Sequence, residues 1–223
     1  MDNFIMFDVG AHHGEDSLNV AKYDPEVIVY AFEADPKFYD HIDYSRKHGL
    51  DWDHYRTPRE PSDSYEDRYH IYNQAVSDYD GESPFYIAEG FPNGASSLYK
   101  FKDDLDKTWP GRTDFVTEKE ILIPVTRLDT WYKNNNIQLD KIDYFHCDAQ
   151  GCDLKVLQGM GDLIELILEG DVEVARDDAA KLYEENHVME EMLDFLNEKG
   201  FVITQQRSND AQNNEINLYF VKK

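Results

Sequence analysis

Apolar positions along the chain fall into two rhythms: short continuous runs and longer stretches with helical spacing. Phe4 to Val9 is a short apolar run leading into Asp8, Gly10 and Ala11, and it predicts a first strand. A helix is expected from about Glu15 to Tyr23. Val27 to Phe32 (VIVYAF) is β-branched and aromatic, and Asp24-Pro25 and Asp35-Pro36 bound it, so it predicts a second, buried strand. Pro36 suits the first turn of the next helix, expected to run to about His48.

Residues 50–68 are polar and proline-bearing and read as an inserted loop. Tyr69 to Val76 resumes strand character. Asp80-Gly81 marks a turn, and Pro84 to Ala88 reads as a hairpin arm. Residues 89–119 carry Gly90, Pro92, Asn93-Gly94, Pro110 and Gly111 and predict a long irregular loop, the kind that usually serves function. Ile121 to Val125, Ile142 to Cys147 and Leu163 to Leu168 predict further strands, the last ending at Glu169. Leu128 to Asn134 and Asp153 to Met160 predict helices. Asp177 to Lys199 has Leu182, Val188, Met189, Met192, Leu193 and Leu196 at helical spacing, with Gly200 as a C-cap. Phe201 to Gln205 and Ile216 to Val221 predict two closing strands.

Strands that alternate with helices predict an α/β fold with a parallel, doubly wound sheet. The last two strands are joined too closely for a helical crossover, so they should pair antiparallel.

Composition narrows the partners. The chain has 223 residues, and 22 Lys+Arg against 46 Asp+Glu give 22 − 46 = −24. Such a surface repels phosphate backbones and anionic lipid, which argues against nucleic-acid binding and membrane docking. With 12 Phe, 15 Tyr and 3 Trp the chain is too aromatic to be disordered. No apolar run approaches the ~20 residues of a membrane helix. The N-terminal MDNFIMFDVG lacks a signal peptide's basic start and apolar stretch. The two cysteines, Cys147 and Cys152, allow one disulfide, but they read better as two free thiols of a reducing compartment, so a cytoplasmic location is expected.

Three segments carry candidate chemistry. Asp8 to Gly14 (DVGAHHG) lies between strand and helix, where Gly10 and Gly14 let the backbone approach a ligand near free helix N–H groups. Glu33 ends the second strand, 19 residues after Gly14, where a carboxylate can accept both hydroxyls of a ribose. Ile142 to Asp153 places His146, Asp148, Gln150 and Asp153 at or just past the carboxyl end of a central strand, where open α/β sheets bind ligands. An Asp beside a His there offers proton transfer.

Taken together, FDVGAHHGEDSL (7–18), YAFEADP (30–36), NQAVSDYDG (73–81), ASSL (95–98), VTRLDTW (125–131), IDYFHCDAQGCDLKVLQG (142–159) and NEINLYFV (214–221) resemble the FkbM family of S-adenosylmethionine-dependent methyltransferases. The resemblance spans almost the whole chain in the family's order. It implies a Rossmann-like class I methyltransferase fold: a seven-stranded, mostly parallel sheet with the last strand antiparallel and helices on both faces. It implies methyl transfer from S-adenosylmethionine to a hydroxyl of a sugar, a glycan or another natural product. Asp8, Gly10, Ala11 and Gly14 would line the cofactor loop, with Ser17 in the first turn behind it. Glu33 would hold the ribose with Ala34 beside it. Ala75 and Val76, or Asn73 and Gln74, would lie near the adenine, and Asp148 and Gln150 would face the methionine end. This chain has His12 where the family often has Asn, Asp153 where it often has Glu, and His146 where it often has Lys. The last exchanges a fixed cation for a group that titrates near neutrality.

Candidate bases for the hydroxyl proton are Asp148, His146, His12 and His13. The acceptor is expected against the 89–119 loop, with Phe91, Tyr99, Phe101 and Trp109 stacking on a sugar and Ser96 and Ser97 bonding its hydroxyls. Asp148, Asp153, Glu169 and histidines could supply oxygen-rich ligands, but no compact ligand motif is present, so no metal is expected. Rival readings are a dinucleotide oxidoreductase, which the G-x-x-x-G spacing disfavours, and a silent cofactor-binding module. The motifs begin at residue 8 without a preceding helix. That leads to the expectation of a single methyltransferase domain drawn from a longer chain, with a covalently linked neighbour.

Overall fold

The computed structural model describes residues 3–54, 56–57, 60–90 and 93–223. In chain order its strands are β1 Phe4–Val9, β2 Val27–Phe32, β3 Tyr69–Tyr72, β4 Ala75–Val76, β5 Gly81–Ala88, β6 Thr117–Thr126, β7 Ile142–Cys147, β8 Ile167–Ala175, β9 Phe201–Ser208 and β10 Glu215–Lys222. The helices are α1 Leu18–Tyr23, α2 Pro36–His48, α3 Leu128–Asn134, α4 Asp153–Gln158 and α5 Met189–Glu198.

Seven strands form one sheet in the order β3-β2-β1-β7-β8-β10-β9. Its neighbours pair in parallel except β10, which runs antiparallel to both β8 and β9. The expected class of fold is therefore observed, with the last strand inserted between β8 and β9. A second sheet of three strands, β4-β6-β5, stands beside it.

Each face has its own apolar layer. Phe7, Phe145, Cys147, Val172, Leu218 and Phe220 pack under α3, α4 and α5 through Trp131, Leu157, Met192 and Leu196. Met6, Val29 and Ala31 pack on the opposite face under α1 and α2 through Leu18, Ala21 and Ile42. Local signals set α2: the Asp35 side chain accepts the Lys37 N–H at 2.9 Å, Pro36 opens the helix, and Gly49 closes it in a left-handed conformation at φ 62°.

Four expected elements differ. Tyr69–Val76 is two strands in two sheets, because the Asn73 amide donates to the carbonyls of Glu33 and Ala34 and turns the chain after Tyr72. The Pro84–Ala88 arm is the longer β5, and it pairs with β6 across the long loop. Leu163–Leu168 is not a strand. Gly161–Leu166 forms a 3-10 turn that buries Leu163 and Ile164, and the strand begins at Ile167. The expected 177–199 helix forms only over α5, because Leu182 and Tyr183 pair in extended form with residues 100–102.

Candidate active site

The carboxyl ends of β1, β2 and β7 converge on a crevice enclosing about 530 Å³ of space, part of it open to solvent. One end is apolar, lined by Phe32, Ala34, Phe38, Ala75, Val76, Phe85 and Leu98. The other end is polar, lined by Gly10, His12, Glu33, Asp148 and Gln150. A smaller cavity continues from it past Ala11, Glu15, Asp16 and His146.

Glu33 sits at the tip of β2 and is 7% exposed. Its Oε2 accepts the His12 N–H at 2.7 Å, and its Oε1 accepts the Asp35 N–H at 2.6 Å. Burial raises its pKa to about 8, against the pull of those two amides. The glycine loop folds over β1 so that Gly10 takes φ 86°, and a Cβ there would lie 2.0 Å from the Asp148 carbonyl oxygen. Only glycine lets the β1 and β7 tips approach so closely. His12 and Gln150 also adopt positive φ, 48° and 50°. Both line the crevice, where strained backbone is held by the surrounding structure. His12 donates or accepts through Nδ1 with Glu15 at 2.9 Å, while its Nε2 is buried without a hydrogen-bond partner among the described residues.

Parallel register draws a row of polar residues across the sheet. Asp8 on β1 lies opposite His146 on β7, His146 opposite Asp171 on β8, and Asp171 opposite Tyr219 on β10. His146 Nδ1 stands 2.9 Å from Asp171 Oδ2, and its Nε2 stands 3.6 Å from Asp16. Tyr144 donates its hydroxyl to the second Asp171 oxygen at 2.6 Å. Burial pulls the His146 pKa down, but the Asp171 hydrogen bond and the charges of Asp8 and Asp16 outweigh it and carry the pKa well above 6.5. The protonated form of His146 is thus favoured at the position where the family often has lysine.

The remaining expected residues divide. Asp148 lines the crevice, the smaller cavity and a groove beyond it. Its Oδ1 accepts the Gln150 amide at 2.6 Å, and burial raises its pKa. Ala11 lines the smaller cavity. Asp8 and Ser17 do not line the crevice. Asp8 accepts the Ser17 hydroxyl, which meets the Tyr69 hydroxyl at 2.7 Å, and burial raises the Asp8 pKa to about 6. Gly14 takes φ 76° behind the loop. His13 is buried among His12, Phe38 and His41, and burial lowers its pKa to about 3, so the structure does not bring it to the crevice.

The expected acceptor loop also differs. Trp109 is 2% exposed and packs with Leu182, Tyr183, Phe101 and Phe115 into a small core of its own. Tyr99 joins that core, and the buried Ser97 hydroxyl donates to the Gln150 carbonyl at 2.7 Å. Ser96 lines the crevice and accepts the Ala88 N–H at 3.0 Å. Phe91 lies outside the described residues. Asp16, Asp171 and Tyr144 escaped sequence reasoning. A strand placed at 167–175 would have set Asp171 opposite His146.

A family model, the methyltransferase FkbM domain, matches residues 8–203. The chain belongs to the FkbM methyltransferase family. It is thereby an S-adenosylmethionine-dependent methyltransferase, as its motifs led us to expect. The magnesium protoporphyrin IX methyltransferase ChlM of Synechocystis PCC 6803 shares the fold. Its structure with bound SAM is 11% identical at a TM-score of 0.50, covering 100% of this chain and 71% of that one. Its structure with bound SAH is 10% identical at a TM-score of 0.50, covering 100% and 75%. No curated protein matches the chain as a relative.

Among the described residues of this FkbM chain, no lysine or arginine lines the crevice or the smaller cavity, whereas Glu15, Asp16, Glu33 and Asp148 do. Such a site favours a cation and disfavours a pyrophosphate. Among the described residues, no group of three or more His, Cys, Asp or Glu is placed to hold a metal ion. No helix among them is long and apolar enough to cross a membrane.

Proposed function

We propose that the chain is a single methyltransferase domain that transfers the methyl group of S-adenosylmethionine to a hydroxyl of a sugar or glycan. The carrying observation is the crevice itself, apolar at one end and polar at the other, where Glu33 and Asp148 present their carboxyl groups. The cofactor fits that polarity, being a flat base joined through a diol to a sulfonium. When bound, it supplies an electrophilic methyl group.

Phe32, Ala34, Ala75 and Val76 offer the slot for the adenine. The free lone pairs of Glu33 accept the ribose hydroxyls, because its backbone partners occupy one lone pair on each oxygen. Gly10 and Ala11 would line the methionine end, and Asp16 would be available to its ammonium group. Asp148 stands at the junction of the cavities, and its raised pKa suits a proton acceptor from an alcohol. Gln150 holds one Asp148 oxygen and leaves the other to take that proton. The His146 cation is the partner available to the methionine carboxylate. Asp8 and Ser17 support the loop from behind.

A dinucleotide oxidoreductase reading loses support from the same lining, which would repel two phosphates. The acid-lined entrance also favours an acceptor without phosphate. The buried free thiols of Cys147 and Cys152 support a reducing, cytoplasmic setting. The test incubates the protein and S-adenosylmethionine with glycan and small natural-product pools and reads product masses. A methyl gain on glycans is expected. A gain only on the natural products would reassign the acceptor, and none in either pool, with S-adenosylhomocysteine failing to bind, would refute the reading.

A further inference from the structure

Gln150 reaches between Asp148 and a tyrosine 33 residues further along the chain. Its Nε2 donates to Asp148 Oδ1 at 2.6 Å, and its Oε1 accepts the Tyr183 hydroxyl at 2.7 Å. Its own carbonyl accepts the Ser97 hydroxyl at 2.7 Å, which holds the backbone while the amide spans from the crevice to Tyr183. Tyr183 is 1% exposed. Its ring stacks on Phe101 at 5.3 Å, and its N–H donates to Asn186 Oδ1 at 2.8 Å. Burial, then the charges of Glu215 and Glu173, carry its pKa well above the ordinary tyrosine value, so the phenol keeps its proton. A hydroxyl has a single hydrogen to give. Gln150 Oε1 and the Ala95 carbonyl both lie within its reach, at 2.7 and 2.8 Å. The charge on Asp148 decides between them. An ionised oxygen at 2.6 Å calls for the N–H side of the amide, which turns Oε1 towards Tyr183 and draws the hydrogen to it.

We propose that Tyr183 is a positioning residue for methyl transfer that acts through Gln150: its hydroxyl fixes the amide so that Nε2 stays on Asp148 Oδ1 and Oδ2 is left to take the acceptor's proton. The inference rests on the reading of Asp148 as proton acceptor and adds what holds that carboxylate in place. As the alcohol oxygen bonds to the methyl carbon and the carbon–sulfur pair returns to sulfur, the hydroxyl proton passes to Asp148 Oδ2. The amide by itself does not fix this choice, because its last torsion is broad and half a turn exchanges oxygen for nitrogen. With the Tyr183 hydroxyl removed, Oε1 has no donor, the amide turns, and Asp148 loses a hydrogen bond that favours its ionised form. Tyr183 also ties Asp148 to the long loop. That loop supplies the Ala95 carbonyl, the Ser97 hydroxyl, and the Phe101 and Trp109 rings packed around Tyr183. It thereby braces the proton acceptor from behind.

Carboxyl carbon NMR across pH, on cofactor-free protein labelled in aspartate, tests the role, with Asp148→Asn assigning the signal. The charges around Asp148 come from His12 and Asp16 in the loop after β1, His146 on β7, Asp153 on α4, Glu173 on β8 and Glu215 on β10. Tyr183→Phe alters none of them. In that variant the Asp148 carboxyl should titrate about half to one pH unit higher than in the wild type, because the charged form loses the amide N–H. Gln150→Met should also raise it, and adding Tyr183→Phe to Gln150→Met should move it no further. Turnover of the glycan and natural-product pools should fall about tenfold in Tyr183→Phe. Calorimetric affinity for S-adenosylhomocysteine should stay within about twofold, which also verifies the fold. An unchanged Asp148 titration or unchanged turnover in Tyr183→Phe would overturn the role of Tyr183. A shift that persists in the Gln150→Met background would overturn the route through Gln150. Undiminished turnover by Asp148→Asn, or failure of S-adenosylhomocysteine to bind the wild type, would instead overturn the reading on which this one stands.

Discussion

With Glu33 on the ribose, cofactor binding should depend on pH. In the free protein its carboxyl titrates at about 8, because burial outweighs the two backbone N–H groups it holds. A ribose diol donates two hydrogen bonds, and the ionised carboxylate is the better acceptor for both. Binding therefore draws on the ionised fraction, which falls tenfold for each pH unit below that value. Between about pH 6 and pH 8.5 the affinity for S-adenosylhomocysteine should rise by one to two orders of magnitude, about 1.4–2.7 kcal/mol. Calorimetry across that range, in buffers of different ionisation enthalpy, reads both the affinity and the proton released. Glu33→Gln removes the titration, so its affinity should be lower and nearly flat. Gln has one oxygen for two amides, so either the His12 or the Asp35 N–H loses its partner, at a stability cost of about 1–3 kcal/mol. A flat wild-type profile, or the same slope in Glu33→Gln, would refute the assignment of Glu33 to the ribose.

Asp148→Asn keeps the Gln150 contact but removes the proton acceptor. Turnover should fall about 10²- to 10⁴-fold with little change in S-adenosylhomocysteine affinity, and an equal loss in both would mark a structural role. Gly10→Ala places a methyl group against the Asp148 carbonyl at a positive φ, so melting temperature and cofactor affinity should both drop; unchanged values would contradict the loop geometry. Glu33, Asp153 and Glu215 titrate near 8 in the folded chain, far above their ordinary values, chiefly through burial. The folded state then holds more protons than the unfolded one between the ordinary carboxylate range and about pH 8, and the raised His146 pKa acts in the same sense. Urea midpoints of the cofactor-free protein should therefore fall as pH rises from about 5 to 8, and a rise over that interval would show these carboxyls to be better solvated.

What the chain's own residues determine is local. β1, β2 and α2 lie where their patterns place them, because β-branched runs, the Asp35-Pro36 start and the Gly49 stop act over a few residues. Glu33 falls at a strand tip for the same reason, and the β7–α4 junction brings Asp148 and Gln150 with it. Tertiary structure decided the rest. β8 carries Glu169, Gly170, Asp171 and Glu173 within its span, so it does not read as an apolar strand; its acids share the face opposite Val172 and Val174, which pack in the core. Only the pairing of β8 with β7 sets Asp171 beside His146, where it favours the protonated imidazole. Residues 180–184 have helical spacing, yet they pair with the long loop because Leu182 and Tyr183 bury more there, against Trp109. The same packing gathers Tyr99, Phe101, Trp109 and Phe115 into a small core with Leu182 and Tyr183. Side-chain spacing fixes an element's own faces, but which partner covers them depends on contacts far apart in the chain.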